Sequence, residues 1–240
     1  MKRFRIATYN IHKARGLDGR VRVERIARVL AAIDADVIAL QEVVSRDGPT
    51  IEDHQASYLA DRFGYRYAIG ETRKHRGGVY GNVTLSRWEF ETVRHRDLSV
   101  TGREERGVLR TDIRIGQQLL HIFNVHLGTG HRERRTQALR LVDENLLKAI
   151  DISGPRIVLG DFNEWTHGQV TRTLSAEFHL TDLRDHLPRT RSYPPLLPFL
   201  NLDHIYFDPR LRIEKALFFR TRLSLVASDH LPLVADFKID

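Results

Sequence analysis

Seven short polar segments, each beside an apolar run, hold most of the side chains in this sequence that can do chemistry. In chain order they are Thr8-Tyr9-Asn10, Gln41-Glu42, Gly81-Asn82, Asn124-Val125-His126-Leu127, Gly160-Asp161-Phe162-Asn163, Leu202-Asp203-His204 and Ser228-Asp229-His230. They supply carboxylates, carboxamides and imidazoles, but no thiol and no Gly-Lys-Ser phosphate loop. Oxygen ligands suit a hard cation such as Mg²⁺ or Mn²⁺, while imidazole and amide donors suit a phosphoryl oxyanion. The combination implies metal-assisted cleavage of a phosphate ester.

Such groups act together only if the fold brings them together. Phe4 to Asn10 reads as a strand with Phe4, Ile6, Thr8 and Asn10 on one face. Val23, Ile26, Ala27, Leu30 and Ile33 recur at helical spacing, and the apolar run from Val37 to Leu40 reads as a strand buried on both faces. A right-handed crossover makes the two strands parallel and brings Asn10 and Glu42 to one sheet edge. A short helix and a strand are expected within 57–69, and a strand from Val79 to Leu85. Leu109, Thr111, Ile113 and Ile115 alternate with Arg110, Asp112 and Arg114, the pattern of a half-exposed antiparallel strand.

Leu119 to Leu127 places Leu120, Ile122, Asn124 and His126 on one face, so an apolar stripe turns polar at the strand's end. A helix over 133–150 follows, closed by Ser153-Gly154-Pro155. Ile157 to Asn163 repeats the device, with Ile157, Leu159, Asp161 and Asn163 sharing a face. Strands at Asp203 to Phe207, Arg212 to Phe218 and Leu231 to Phe237 complete the set. Many alternating strands with few helices fit two sheets packed face to face with helices outside, as a single domain over 1–240.

Any one of Asn124, His126, Asp161 or Asn163 alone reads equally well as a loop cap or a backbone partner. Their recurrence on several strands, with carboxylates nearby, points to one shared site. Glu52, Asp53 and His54 resemble a metal cluster but follow a Gly-Pro turn and read better as a helix start. His12 and Lys13 line either the site or a solvated loop. Arg76 (in the run Arg73-Lys74-His75-Arg76), Arg103, Arg106, Arg132 and Arg135 flank the chemistry-bearing strands, as solvated charge or as phosphate-steering groups. Trp165 either stacks on a base at the pocket rim or packs in the core. The apolar loop Tyr193 to Leu200 is a lid, a lipid contact or a packed segment.

The chain has 240 residues, no cysteine and a net charge of +7, with a pI near 9.9. Disulfides, thiolate zinc sites and cysteine nucleophiles are thereby excluded. The N-terminus lacks the apolar stretch of a signal peptide, and no run reaches the length of a membrane span, so the expectation is a soluble, cytoplasmic protein. The positive charge implies attraction to polyanions such as nucleic acid, anionic lipid headgroups or small phosphates.

The ordered motifs resemble the endonuclease/exonuclease/phosphatase superfamily, which includes deoxyribonuclease I, exonuclease III-type repair nucleases, inositol polyphosphate 5-phosphatases and neutral sphingomyelinases. The resemblance runs from Thr8 to Pro232 and is carried mainly by Gly160-Asp161-Phe162-Asn163 and Ser228-Asp229-His230, with Gly81 to Arg87 beside them. The stretch from Ser192-Tyr193-Pro194 to Asp203-His204-Ile205 looks like the bacterial hydrolase branch. The resemblance implies a four-layered α/β sandwich of two mixed, mainly antiparallel sheets, with one site at the sheets' edge. It implies Glu42 as principal metal ligand, with Asn10 and Asp229 beside it directly or through water. Asp161 orients or deprotonates the attacking water, and Asn163 holds the nucleophile or a phosphate oxygen. His126 and Asn82 donate to the phosphate, and His230 contacts the phosphoryl group with its tautomer fixed by Asp203. A rival assignment makes His230 the general base.

The expected activity is therefore that of a Mg²⁺- or Mn²⁺-dependent phosphoric ester hydrolase, a phosphodiesterase before a monoesterase. A nuclease acting on DNA or RNA is the first substrate reading, from the basic loops and Trp165. A phospholipid or small-phosphoester enzyme is the alternative, from the apolar loop and the short chain. The repair branch's closing Trp- and Leu-rich segments are missing, which counts against abasic-site repair. A non-catalytic phosphate-binding module is the third reading, although such a protein is expected to lose a metal carboxylate or the final histidine, and both are present.

Overall fold

A computed structural model of the chain describes residues 1–75, 78–143, 146–166, 168–188 and 191–240. Strand β1 (Lys2–Asn10) leads through a 3-10 turn at His12–Ala14 to helix α1 (Val23–Ile33) and strand β2 (Val37–Ser45). Helix α2 (Gln55–Phe63) precedes β3 (Arg66–His75), β4 (Gly78–Ser86), β5 (Phe90–Asp97), β6 (Gly107–Ile115) and β7 (Gln118–His126). Next come α3 (His131–Leu141), β8 (Arg156–Asp161), α4 (Gln169–Phe178) and β9 (Thr181–Asp182). A second 3-10 turn, β10 (Asp203–Phe207), β11 (Arg212–Phe218), α5 (Ser224–Ala227) and β12 (Leu233–Ile239) close the order.

The strands form two six-stranded sheets, in the orders β11-β12-β1-β2-β4-β3 and β5-β6-β7-β8-β10-β9. In each sheet one parallel pair stands among antiparallel neighbours, β1 with β2 and β7 with β8. Both parallel pairs are joined by a crossover containing a helix, α1 in one and α3 in the other. Apolar residues on the facing sides, among them Phe4, Ile6, Leu120, Ile122, Ile157, Leu159, Ile205 and Phe237, pack between the sheets. A second cluster lies under α1 and α2, and a third under α3 and α4, giving four layers. Each such buried aliphatic or aromatic side chain contributes about 1.5–3 kcal/mol relative to exposure. Helix α1 ends where Asp34 turns left-handed at φ 51°, and α2 ends at Gly64 at φ 65°.

Three details depart from the expected elements. Helix α3 stops at Leu141 rather than running to 150. Beyond it the described residues form turns, with Leu147 N–H donating to Leu141 O and Lys148 N–H to Asp143 O, while Leu146 and Leu147 still reach the core. Apolar spacing that reads as helix is met here by a coil.

The outer face of β6 is not half-exposed. Arg110 is 0 % exposed, paired with both oxygens of Asp112 and with Asp151. His121 completes the cluster by facing Asp112 through Nδ1 and accepting Gly154 N–H at Nε2, which seats the 151–154 turn over the strand. A pair buried this way is destabilising to split, because the survivor is left charged and dry. Lastly, β8 ends at Asp161, and Asn163 lies outside it at φ 49°, so the shared face stops one residue pair short of the expectation.

Among the described residues no helix is long and apolar enough to cross a membrane. Strand β5 and helix α4 lie outside the expected elements. Charged residues interrupt the alternation in β5, whereas Val170, Leu174 and Phe178 do carry a helical repeat that could have located α4.

Candidate active site

Strand register assembles the site. Asn10 is paired with Gln41 across the parallel β1–β2 seam, and His126 with Asp161 across the parallel β7–β8 seam. Antiparallel pairing places Asp203 opposite Asp161. The loop before β12 is tied to the same end, because the Ser228 hydroxyl donates to Asn10 O at 2.8 Å. Strand ends from both sheets thus meet at one edge.

Their side chains converge on one oxygen. Asn10 Nδ2 donates to Asp161 Oδ2 at 3.0 Å and to Glu42 Oε1 at 3.3 Å. His126 Nε2 lies 3.5 Å and His230 Nε2 3.7 Å from the same Asp161 Oδ2. Behind His230, Nδ1 is 3.0 Å from Asp203 Oδ2, and that carboxylate also accepts from the Ser192 hydroxyl at 2.9 Å. Asp161 Oδ1 accepts Asn163 N–H, and Asn163 Nδ2 donates to Leu127 O.

The backbone is bent to reach these positions. Glu42 sits at φ 58° in a bulge where Gln41 and Glu42 oppose Asn82 alone, which re-aims its carboxylate. His12, Lys13 and Ala14 are consecutively left-handed at φ 47°, 58° and 57°. That turn presents Lys13 Nζ to Glu42 Oε2 at 3.0 Å and His12 Nδ1 to Asp229 Oδ1 at 3.6 Å. Non-glycine residues held this way cost on the order of 1–3 kcal/mol each and concentrate where function requires them.

Environment separates the two imidazoles. Burial, reinforced by the Arg106 guanidinium, lowers His126 to about 4, so it is neutral at physiological pH. Burial also opposes charge on His230, but Asp203 and Asp161 outweigh it and hold the group at about 10, an imidazolium. Glu42 is pushed up by burial, yet the His126 ring (charged in the acid range where Glu42 titrates), the Lys13 ammonium and the Asn10 amide more than offset this and bring it to about 2.

The donors fit a hard divalent cation. Among the described residues no three acidic, imidazole or thiol side chains already ring a single point. Mg²⁺ does not need such a cage, since it is commonly held by one or two carboxylates, waters and substrate oxygens. Glu42 is ionised, and the Lys13 ammonium against it shows that this position carries a cationic partner. Asn10 accepts His12 N–H at Oδ1, whose second lone pair remains for a ligand.

A profile of the Endonuclease/Exonuclease/phosphatase family matches residues 7–230, a span that includes every residue of this edge. The chain belongs to that family. It is 30 % identical to the uncharacterized protein YbhP of Escherichia coli strain K12 over 251 aligned positions, covering 98 % of this chain and 96 % of that protein. Among solved structures, the endonuclease/exonuclease/phosphatase of Bacteroides vulgatus superposes with a TM-score of 0.83 at 19 % identity and full coverage of both chains. The human Nocturnin catalytic domain, with a bound sulfate anion, gives 0.79 at 20 % identity, covering 99 % of this chain and 95 % of that one. These likenesses show a deoxyribonuclease I-like α/β sandwich, in a family whose members are hydrolases.

Within that family fold, the residues expected from the motifs separate into two groups. Asn10, Glu42, His126, Asp161, Asn163, Asp203 and His230 are brought together as described, and Asp229 joins them through His12. Asn82 is not placed to donate to a phosphate. Both protons of its Nδ2 go to the carbonyls of Gly107 and Asn124. Asn124 in turn donates to Leu40 O and Val83 O and accepts from Gln41 Nε2, which also bonds Thr8. These amides clamp one sheet to the other beneath the site.

Arg132 and Arg135 project to solvent, whereas the neighbouring Arg134 turns inward to Gly128 O and Thr129 O. Arg76 lies outside the described residues. Trp165 is 52 % exposed, with the Arg134 guanidinium 5.7 Å from its ring centroid, so it is a rim residue rather than a packed one. Arg106 is buried against His126 Nδ1 at 3.4 Å. The Glu52-Asp53-His54 segment leads into α2, with His54 at the helix boundary and Asp53 paired to Arg46.

Lys13, read from the sequence as lining either the site or a solvated loop, is at the site, and Tyr193, at the start of the apolar loop, places its ring 5.0 Å from that of His230. Adjacency to Asn10 pointed to Lys13, and nothing local in the sequence pointed to the Tyr193 contact.

Proposed function

We propose that this chain is a Mg²⁺- or Mn²⁺-dependent phosphodiesterase, with nucleic acid as the first substrate class. The reading rests on one observation, the convergence of Asn10, His126 and His230 on a single Asp161 oxygen beside an ionised Glu42. Glu42, Asn10 and Asp229 would hold the metal, which when bound neutralises charge on the phosphoryl and leaving oxygens. Asp161 accepts the proton of the attacking water, and Asn163 beside it orients that water or a phosphate oxygen. His230, already protonated, is unsuited to be the base. Its Nδ1 is held by Asp203, so Nε2–H is left to donate to the phosphoryl group.

His126 supports the same charge from the other side. Arg106 has only protons to offer, so Nδ1 is the bare acceptor and Nε2 carries the hydrogen aimed at the reaction centre. Each such donor is typically worth about 10²–10³ in rate.

The test is hydrolysis of bis-p-nitrophenyl phosphate with Mg²⁺ or Mn²⁺, repeated with EDTA and with Glu42→Ala. Activity is expected only for the metal-loaded wild type. Equal rates for wild type and Glu42→Ala would remove the enzyme reading and leave a phosphate-binding module.

A second substrate reading, cleavage of an anionic phospholipid or small phosphoester, is favoured by the loop over the site. Tyr193 and Leu200 pair across a tight hairpin whose tip exposes Leu196, Leu197 (78 %) and Phe199. Parallel assays on plasmid DNA, RNA, phosphatidylinositol phosphates and sphingomyelin separate the two.

A further inference from the structure

Beside His126 lies a pair of arginines whose bonding is incomplete. Arg106 is only 5 % exposed, and its backbone is pinned by Leu98 N–H to its carbonyl and by its own N–H to the Ser99 hydroxyl. Its Nη1 faces His126 Nδ1 and its Nη2 donates to Glu104 Oε2 at 2.8 Å. Arg73 reaches the other oxygen, Glu104 Oε1, at 3.2 Å, with its guanidinium 4.4 Å from the Tyr80 ring centroid. Among the described residues, the buried Nε of Arg73 and the buried Nε of Arg106 have no hydrogen-bond partner.

Glu104 itself is 44 % exposed on a loop whose residues 101–105 face solvent. An ion pair so open to water is worth about 0–1 kcal/mol, too little to account for holding two guanidiniums in place. One carboxylate also leaves the cluster with a surplus positive charge and two unused donors.

We propose that Arg73 and Arg106 form a second anion subsite next to the reaction centre, in which Glu104 stands in for a phosphate until substrate displaces it. A terminal phosphate brings three outer oxygens in place of two, a strand phosphate brings two, and either matches the planar fork of a guanidinium. The inference rests on the phosphodiesterase reading and narrows its substrate. The preferred ester carries a second phosphate a few bonds from the scissile one, either the next phosphate of a nucleic-acid strand or a phosphomonoester on a small molecule. Tyr80 forms the apolar floor of the subsite, and Arg106 links occupancy to the His126 ring that faces the scissile group.

The test compares thymidine 5′-(p-nitrophenyl phosphate) with two derivatives, one bearing a 3′-phosphate and one extended at the 3′ position by a phosphodiester-linked nucleoside. Wild type is expected to show a KM about tenfold lower for a 3′-phosphorylated form, and Glu104→Gln to widen that ratio. Arg73→Met should abolish the preference and Arg73→Lys restore part of it, which a merely structural role would not do. The derivative preferred distinguishes a terminal phosphate from a strand phosphate.

A KM ratio that is the same in all four proteins, with metal-dependent turnover intact, overturns the subsite but not the phosphodiesterase reading. If no protein turns over, binding of inorganic pyrophosphate in EDTA decides the subsite alone. Tighter binding by Glu104→Gln and weaker binding by Arg73→Met support it, and equal affinities overturn it.

Discussion

Two imidazoles lie within 3.7 Å of one carboxylate oxygen, yet at neutral pH one is uncharged and the other cationic. The difference comes from what stands behind each ring, an arginine behind His126 and an aspartate behind His230. In the metal-free protein this couples His230 to stability. Its folded pKa of about 10 exceeds the ordinary 6.5, so the native state binds the proton more tightly than the unfolded chain. The resulting stabilisation is fully present below about pH 6.5 and is lost as pH rises through about 10. The difference in Tm between wild type and His230→Gln should therefore be large near neutrality and shrink at alkaline pH. A constant gap across that window would contradict the assignment.

Catalytic geometry depends equally on residues with no chemistry of their own. Gly160 precedes Asp161 at φ 143°, and a β-carbon there would stand 1.9 Å from Val125 O on the neighbouring strand. Gly160→Ala must therefore part β7 from β8 or twist the backbone, at a cost of about 3 kcal/mol or more. Chemical denaturation measures this directly, and a loss below about 0.5 kcal/mol, typical of a surface substitution, would refute it. The elements that support the site were legible because each strand carries its own parity: Ile157 and Leu159 face the core, then Asp161 appears on the same face.

Other elements hid for physical reasons. Arg110 and Asp112 mark a solvent face in any reading of pattern, but they satisfy each other and are buried. The end of α3 was invisible because Leu146 and Leu147 reach the same core from turns as they would from a helix. Asn82 and Asn124 carried the motif, while only the second sheet reveals that their protons are spent on backbone carbonyls. The contact of Tyr193 with His230 joins segments separated by two strands and α5, which no local pattern encodes.

At the scale of the whole molecule, a chain of net charge +7 surrounds an acidic reaction centre. The arrangement suits a polyanion drawn in by the distributed field and then bound through a cation that reverses the local sign. For DNA or RNA the rate at low substrate concentration is expected to fall steeply, log against log, as salt rises from about 50 to 200 mM. Hydrolysis of bis-p-nitrophenyl phosphate, with a single charge, should change little over the same range. Equal salt slopes for the two substrates would argue against a nucleic-acid substrate and favour the small-ester reading.

The amide clamp formed by Gln41, Thr8, Asn82 and Asn124 determines how the molecule can breathe. Sliding one half past the other would strand several dry donors and acceptors at once, each worth about 1–3 kcal/mol. The cleft should accordingly be preformed, with ligand-driven motion confined to peripheral loops. In deuterated solvent, the main-chain protons flanking Asn124 should be among the last to wash out, and adding Mg²⁺ should leave their protection almost unchanged.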